Sequence, residues 1–206
     1  MTMIGTRASV AAAVLAAAGA TASAGVLIDG GPSSTLQTFS TGNYVAGSEF
    51  VIDSPMTIRG LGWIDAEGDG LTNSHRVGLW DVATQALLAE ATVTPASMTI
   101  PSAQGTALWF FEAIADLNLP AGTYRVAGEV NGDNVTLSND KIAAPGVTLP
   151  SGYVRTDFPN GGFAYPNLSF GSQAVRASVT DMVVPAPAGV LAMAGLVAPL
   201  ARRRRA

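Results

Sequence analysis

Between residues 25 and 183, the apolar residues come in short runs separated by turn-forming residues. No stretch of this region keeps the 3.6-residue period of an amphipathic helix with capping residues at its ends. Short apolar or alternating runs bounded by Gly, Pro, Asn and Asp are typical of β-strands, and the chain contains 23 Gly and 12 Pro. The pattern therefore predicts an all-β fold, with a single β-sandwich or jelly-roll-like domain over residues 25–183.

The predicted strands differ in how they are buried. In the run Arg76–Asp81, Val77 and Leu79 would share one face. Leu108–Ala115 is apolar and aromatic, which predicts a central strand buried on both faces. Pro145–Pro166 is rich in Gly, Pro and Asn, so we expect it to be irregular. The other predicted strands are Val26–Asp29, Gly47–Ile52, Met56–Ile64, Leu87–Val93, Thr123–Val130 and Gln173–Val183.

Residues 1–24 have the three parts of a secretory signal peptide. Arg7 supplies the positive charge, Val10–Ala20 the apolar centre, and Ala22-Ser23-Ala24 the small residues of a cleavage site. We expect signal peptidase to recognise Ala22 and Ala24 and to cut after Ala24. The mature chain would then begin at Gly25.

Residues 184–206 form a second segment with a membrane-directed composition. The sixteen residues Ala186–Ala201 carry no charge and would form a helix of about 24 Å. This is shorter than the roughly 30 Å hydrocarbon core of a bilayer, but such mismatch costs little. Arg202, Arg203, Arg204 and Arg205 would stay on the cytoplasmic side. The pattern predicts a short transmembrane helix that leaves the body of the protein on the opposite side.

The motif at the start of this segment adds a resemblance to a known family. Val184-Pro185-Ala186-Pro187-Ala188, the apolar run and the arginine cluster resemble the PEP-CTERM sorting signal of bacterial exosortase substrates, with Ala186 where Glu is usual. The resemblance implies an exosortase-type processing enzyme as a partner. It also implies a protein anchored in the membrane during transit and then located at the cell surface or outside the cell. An ordinary uncleaved tail anchor is the alternative.

A second, weaker resemblance covers part of the body, from Gly60 to Val130. Its motifs are similar to an uncharacterised β-sandwich domain of exosortase-sorted proteins. They are Ile58-Arg59-Gly60-Leu61-Gly62, Gly68-Asp69-Gly70-Leu71, His75–Asp81, Leu87-Leu88-Ala89 and Leu119–Tyr124. That family has no known activity, so this resemblance implies the fold alone.

Charge and cysteine content exclude several classes of function. Between Asp29 and Asp181, six basic residues stand against fifteen acidic ones, a net charge of −9. Such a surface repels polyanions, which argues against a nucleic-acid partner. The chain has no cysteine, so disulfide, thiolate-zinc and cysteine-nucleophile chemistry are excluded.

The run Asp65-Ala66-Glu67-Gly68-Asp69-Gly70 is a candidate metal site. Carboxylates at alternate positions followed by Gly are typical of the first half of an EF-hand loop. The twelfth position is Arg76 instead of a bidentate Glu, so a Ca²⁺ site of another kind is the remaining metal hypothesis. Its ligands would be Asp65, Glu67, Asp69 and Asn73. The alternative is a solvated acidic turn, and we expect no cofactor other than this possible Ca²⁺.

His75 is the only histidine, so a Ser-His-Asp hydrolase would have to use it. The chain has no Gly-x-Ser-x-Gly motif, and one His is too few for a zinc site. We therefore predict a structural His75 that pairs with the neighbouring acidic loop, in a protein that is not an enzyme.

Aromatic residues provide the last candidate site. Trp63, Trp80 and Trp109 lie in apolar runs and are predicted to be core residues. Tyr153, Phe163 and Tyr165 lie in the Gly- and Pro-rich region and are better placed to stack on a sugar. The sequence thus favours an exported, exosortase-sorted surface or matrix protein without catalytic activity. The alternative is a carbohydrate-binding surface module whose partner would be an extracellular polysaccharide. The Ca²⁺ site described above, if present, would stabilise this module.

Overall fold

The all-β prediction is confirmed. A computed structural model of the chain describes residues 25–37, 44–133, 135–137, 140–150, 152–157, 163–171 and 174–185. Within these ranges all regular secondary structure is β-strand, and no helix there is long and apolar enough to cross a membrane. The predicted signal peptide with Ala22 and Ala24, the residues Ala186, Pro187 and Ala188, the apolar run and Arg202–Arg205 lie outside the described residues.

The described ranges contain sixteen strands. In chain order they are β1 (Ile28–Gly30), β2 (Thr35–Gln37), β3 (Tyr44–Ile52), β4 (Met56–Asp65), β5 (His75–Asp81), β6 (Leu87–Val93), β7 (Met98–Pro101), β8 (Leu108–Leu119), β9 (Gly122–Glu129), β10 (Val135–Leu137), β11 (Lys141–Ala143), β12 (Val147–Thr148), β13 (Tyr153–Asp157), β14 (Leu168–Phe170), β15 (Ala174–Val175) and β16 (Ala177–Thr180).

Two antiparallel sheets form the body in a β-sandwich-like arrangement. The larger sheet has the strand order β14-β13-β3-β9-β5-β6, with β12 also paired to β3, and the smaller has the order β16-β4-β8-β7. Phe50 and Val126 from the larger sheet meet Leu61 and Trp63 from the smaller sheet in the main core. Two minor sheets, β1-β11 and β15-β10-β2, complete the described fold.

Alternation along the strands of the larger sheet follows the sequence pattern. Val77 and Leu79 lie in the main core, as predicted, whereas Trp80 packs on the opposite face with Val45 and Ala127. In β9, the Tyr124 hydroxyl donates to the carbonyl of Pro120 at 2.9 Å, and burial raises the pKa of this hydroxyl. A tyrosine bonded to backbone a few residues upstream is a recurring feature of β-sandwiches.

Burial on both faces of β8 is confirmed for its first half. Phe110 lies in the main core, whereas Trp109 and Phe111 lie in a second apolar cluster. From Glu112 onward most side chains are partly or fully exposed. The change coincides with the end of pairing to β7, which reaches only Leu108–Phe111.

The second cluster lies on the face of the smaller sheet that points away from the larger one. It includes residues from both ends of the described chain. Its members are Val26, Ile64, Ile100, Ala107, Trp109, Phe111, Val175 and Val184. The three predicted core tryptophans are all buried: Trp63, Trp80 and Trp109.

The prediction of an irregular segment over Pro145–Pro166 was partly wrong. Tyr153–Asp157 forms β13, which pairs with the first residues of β3 on one side and with β14 on the other. A short strand, β12, also pairs with β3. Backbone partners distant in sequence satisfy the hydrogen bonds of this segment, and local composition does not predict such partners.

Asp29 connects the first strand to the smaller sheet. Its buried carboxylate accepts hydrogen bonds from Trp109 Nε1 at 2.7 Å and Ser102 Oγ at 2.5 Å. It also accepts from the backbone amides of Gly30 and Ala103 at 2.8 and 2.9 Å. One carboxylate thus holds β1 against β8 and the loop between β7 and β8.

We predict that Asp29→Ala destabilises the domain strongly, because it leaves several buried donors without their acceptor. Each such donor costs about 1–3 kcal/mol, so we expect a total loss of roughly 3–5 kcal/mol in the free energy of unfolding. Urea denaturation measures this loss. Asp53→Ala, at an exposed position, is the matched control and should change stability by less than about 0.5 kcal/mol. Equal stability of the two variants would contradict the role assigned to Asp29.

Candidate functional site

The only histidine is part of a buried polar cluster. His75 begins β5 and is fully buried. Its Nε2 lies 2.7 Å from Asp133 Oδ2, and its Nδ1 lies 2.9 Å from the carbonyl oxygen of Glu129. The structural role agrees with the sequence, but the predicted partner was wrong. His75 pairs with Asp133, in the turn after β9, and not with the Asp65–Asp69 loop.

Asp133 organises a second loop as well. Its two carboxylate oxygens accept the backbone amides of Thr72 and Asn73, both at 3.0 Å. Burial alone would raise the pKa of Asp133, but the hydrogen bonds from the His75 ring and from the Asn73 and Thr72 amides hold this pKa below its ordinary value. Asp133 is therefore a carboxylate at neutral pH.

The partners of His75 engage both nitrogens of its ring. One nitrogen faces the carbonyl oxygen of Glu129 and the other faces a carboxylate oxygen of Asp133. Trp63 stacks on the ring, with ring centroids 4.4 Å apart and planes inclined by 10°. With both nitrogens engaged, His75 has none left to activate a serine hydroxyl.

We predict that the His75–Asp133 pair makes stability depend on pH in the acid range. Because the pKa of Asp133 is lower in the folded chain than in the unfolded chain, its contribution is complete at neutral pH. It is lost as pH falls below about 4 and through the folded-state value. Asp133→Asn should lower Tm at pH 7 by roughly 5–15 °C and flatten the decrease of Tm between pH 5 and pH 2.

The control for this titration is Asp69→Asn, at an exposed position, which should keep the wild-type slope of Tm against pH. A wild-type slope in Asp133→Asn would contradict the assignment.

The acidic loop after β4 is organised around its first carboxylate. Asp65 is buried, and its oxygens accept the backbone amides of Glu67, Gly68 and Gly70 at 3.2, 2.9 and 2.8 Å. The side chains of Glu67 and Asp69 are exposed. In the described part of the chain, no group of three or more His, Asp or Glu side chains could hold a metal ion. Calcium binding by Asp65, Glu67, Asp69 and Asn73 stays a prediction, and the ion would compete with three amides for Asp65.

Two of the three predicted sugar-stacking residues lie together. Phe163 and Tyr165, both half-buried, pack around Trp80 on the outer face of the larger sheet. Arg76 lies over the Phe163 ring at 4.4 Å, and Arg125 lies over the Tyr165 ring at 5.0 Å. Trp80 also contacts Phe163, with centroids 5.2 Å apart. The outer face thus carries a patch of alternating arginine and aromatic side chains.

Tyr153 is separated from this patch. It belongs to a stack on the other face of the sheet, where its ring meets Phe170 at 4.8 Å and the guanidinium of Arg176 at 5.2 Å. Arg155 and Arg176 both lie over the Tyr44 ring, at 4.1 and 5.6 Å. Phe170 and Arg176 thus cover the ring of Tyr153 and leave it little surface on which a sugar could stack.

Two cations of this region, one buried and one half-buried, were not identified from the sequence. Arg176 is 1% exposed, and burial lowers its pKa. Burial also lowers the pKa of Lys141 to about 8, and its Nζ donates to the carbonyl of Gly152. One feature of the sequence could have indicated that Arg176 is buried, namely its position within the mostly apolar run Ala174–Val179.

An open groove of about 340 Å³ runs between the edges of the two sheets, lined by Leu88–Glu90 and Ala113–Leu117. Its two carboxylates have cationic partners. Glu90 accepts two bonds of 2.7 Å from Arg76, and Asp116 lies 3.3 Å from Arg59 Nε. The lining contains no histidine or hydroxyl side chain, and the two carboxylates, which are the nucleophilic groups of this lining, are both paired with arginines.

Comparison with known proteins adds no further assignment. No family model, curated protein sequence or solved structure matches this chain.

Proposed function

We propose that this chain is an exported, exosortase-sorted protein of the cell surface or extracellular matrix, with a β-domain that has no catalytic role. The observation that carries the proposal is the order of three elements: the motif Val184–Ala188, the uncharged run and the arginine cluster Arg202–Arg205. The signal-peptide pattern of residues 1–24 supports export of this chain.

The charge of the body between the two signals also supports export. The net charge of −9 between Asp29 and Asp181 suits a soluble body outside the cell.

The polar chemistry of the domain supports a structural or binding role. His75 is engaged on both nitrogens, and Asp65 and Asp29 each accept several backbone or side-chain donors. These groups hold loops and strands in place, whereas a catalytic group must be accessible to a substrate.

The test is intact-mass analysis of the full chain produced in bacteria with and without an exosortase system. We expect a mature protein that begins at Gly25 in both, and loss of the segment beyond Val184 only where the exosortase is present. Pro185→Ala with Pro187→Ala is the matched variant, and it should keep the N-terminal cut and retain the tail. A full-length cytosolic protein with residues 1–24 intact would contradict the proposal. Export with an uncut tail in both strains would support the tail-anchor alternative.

A second candidate function, binding of an extracellular polysaccharide, is favoured by the grouping of Phe163 and Tyr165 around Trp80. Aromatic faces and guanidinium donors together suit the apolar and hydroxyl surfaces of sugars. If this patch binds a glycan, Tyr165→Ala should weaken binding on a glycan array by about tenfold or more. Tyr153→Ala, on the opposite face, is the control and should bind as the wild type does. Equal loss in the two variants, or no glycan bound by the wild type, would remove this candidate.

A further inference from the structure

The two ends of the described fold lie against each other beside the smaller sheet. Val26 forms an antiparallel bridge with Thr180, and the amide of Leu27 donates to the carbonyl of Val179 at 3.0 Å. Antiparallel pairing aligns the chain before Val26 with the chain after Thr180. The chain therefore enters and leaves on the same side of the fold. We refer to residues Gly25–Ile28 and Thr180–Pro185 as the terminal junction.

Val184 is the most buried residue of the C-terminal part of this junction after Thr180. It is 6% exposed and shares the second cluster with Val26, whereas Val183 is 75% exposed and Pro185 is also exposed. Val184 lies over Gly60, where an added Cβ would come within 2.7 Å of Val184 Cγ2. The absence of a side chain at Gly60 thus provides the space that Val184 occupies.

Arg59 holds the backbone between β16 and Val184. The register of β4 against β8 shifts between Ile58 and Gly60, which places Arg59 in a β-bulge, a feature that redirects a side chain. The Arg59 Nη1 donates to the carbonyl of Asp181 at 2.7 Å. On the N-terminal side, Met182 Sδ lies where a side chain at Gly25 would be, 1.9 Å from an added Cβ.

We propose that the terminal junction sets the inner limit of C-terminal processing. It holds the chain through Val184 against the second cluster and presents the chain from Pro185 onward to the processing enzyme. This inference rests on the proposed function, because the presented segment is the sorting motif. A processing enzyme must bind its substrate as a free extended strand, whereas Asp181 is already bonded to Arg59 and Val184 is packed in the second cluster. Val26, Arg59 and Gly60 act as positioning residues for this limit.

Limited proteolysis of the purified full-length chain with a non-specific endoprotease tests the proposal, with intact mass as the readout. In the wild type, every early C-terminal cut should lie at Pro185 or beyond. Val184→Ser should add cuts within residues 181–184, at a rate raised on the order of tenfold or more. A serine at this position loses the apolar contacts of the valine, so this part of the chain opens locally. Val183→Ser is the matched control at an exposed position, and its cuts should match those of the wild type.

Arg59→Gln provides a second variant, which leaves the apolar cluster intact and removes the bond to Asp181. The variant also removes the ion pair with Asp116, whose side chain is exposed. It should admit cuts within residues 181–184, with near-ultraviolet circular dichroism confirming a native fold. Wild-type cuts within 181–184 as fast as those beyond Pro185 would overturn the proposal. It would equally be overturned if Val184→Ser, Arg59→Gln and Val183→Ser gave the same fragments.

The proteolysis assay is independent of export. If the chain remains in the cytosol with residues 1–24 intact, the proposed function fails while the measured cut limit still tests the junction. If the chain is exported and sorted but the protease cuts the wild type within residues 181–184 as fast as beyond Pro185, the junction proposal fails and the proposed function stands.

Discussion

Both faces of the smaller sheet are apolar, and each must be covered for the domain to be stable. Leu61 and Trp63 of β4 face the larger sheet, whereas Ile64 of β4 and Trp109 of β8 face the opposite way. Apolar surface left in water would cost about 25 cal/mol per Å², and the chain has no disulfide to offset such a cost. The second face is covered in part by Val26 and Val184, so the ends of the domain contribute directly to its stability.

This constraint connects the fold to the proposed processing of the chain. An exported protein that loses both signals must close its core with the residues that remain. Here Val26 follows the expected N-terminal cut closely, and Val184 is the first residue of the proposed sorting motif. The two ends meet through the Val26–Thr180 bridge. In the proposed precursor, both membrane-directed segments would depart from the same side of the β-domain.

Much of the fold could be predicted from the sequence because strand patterns are local. The alternation of Val77 and Leu79 placed one face of β5 correctly, and the apolar run Leu108–Ala115 indicated burial on both faces of β8 where Trp109–Phe111 lie. The strand Tyr153–Asp157 was not predicted, because its stability comes from pairing with β3, about 110 positions earlier in the chain.

The polar contacts could not be predicted, because their partners are distant in sequence. Asp29 and Trp109 are separated by 80 positions, and His75 and Asp133 by 58. The residue types indicated that a buried histidine needs a partner, but the chain has many acidic residues, and only the pairing of β5 with β9 brings Asp133 to His75. The packing of Val184 over Gly60 is a contact of the same long-range kind.

Native-state hydrogen exchange at the Leu27 amide tests most directly whether the chain ends belong to the core. This amide donates to Val179, and the Ile64 amide in β4 donates to Arg176, both at 3.0 Å. If the ends cover the second face as an integral part of the domain, the two amides should exchange with similar free energies, close to that of global unfolding. Exchange of Leu27 through a low-energy local opening, with Ile64 still protected, would contradict this account.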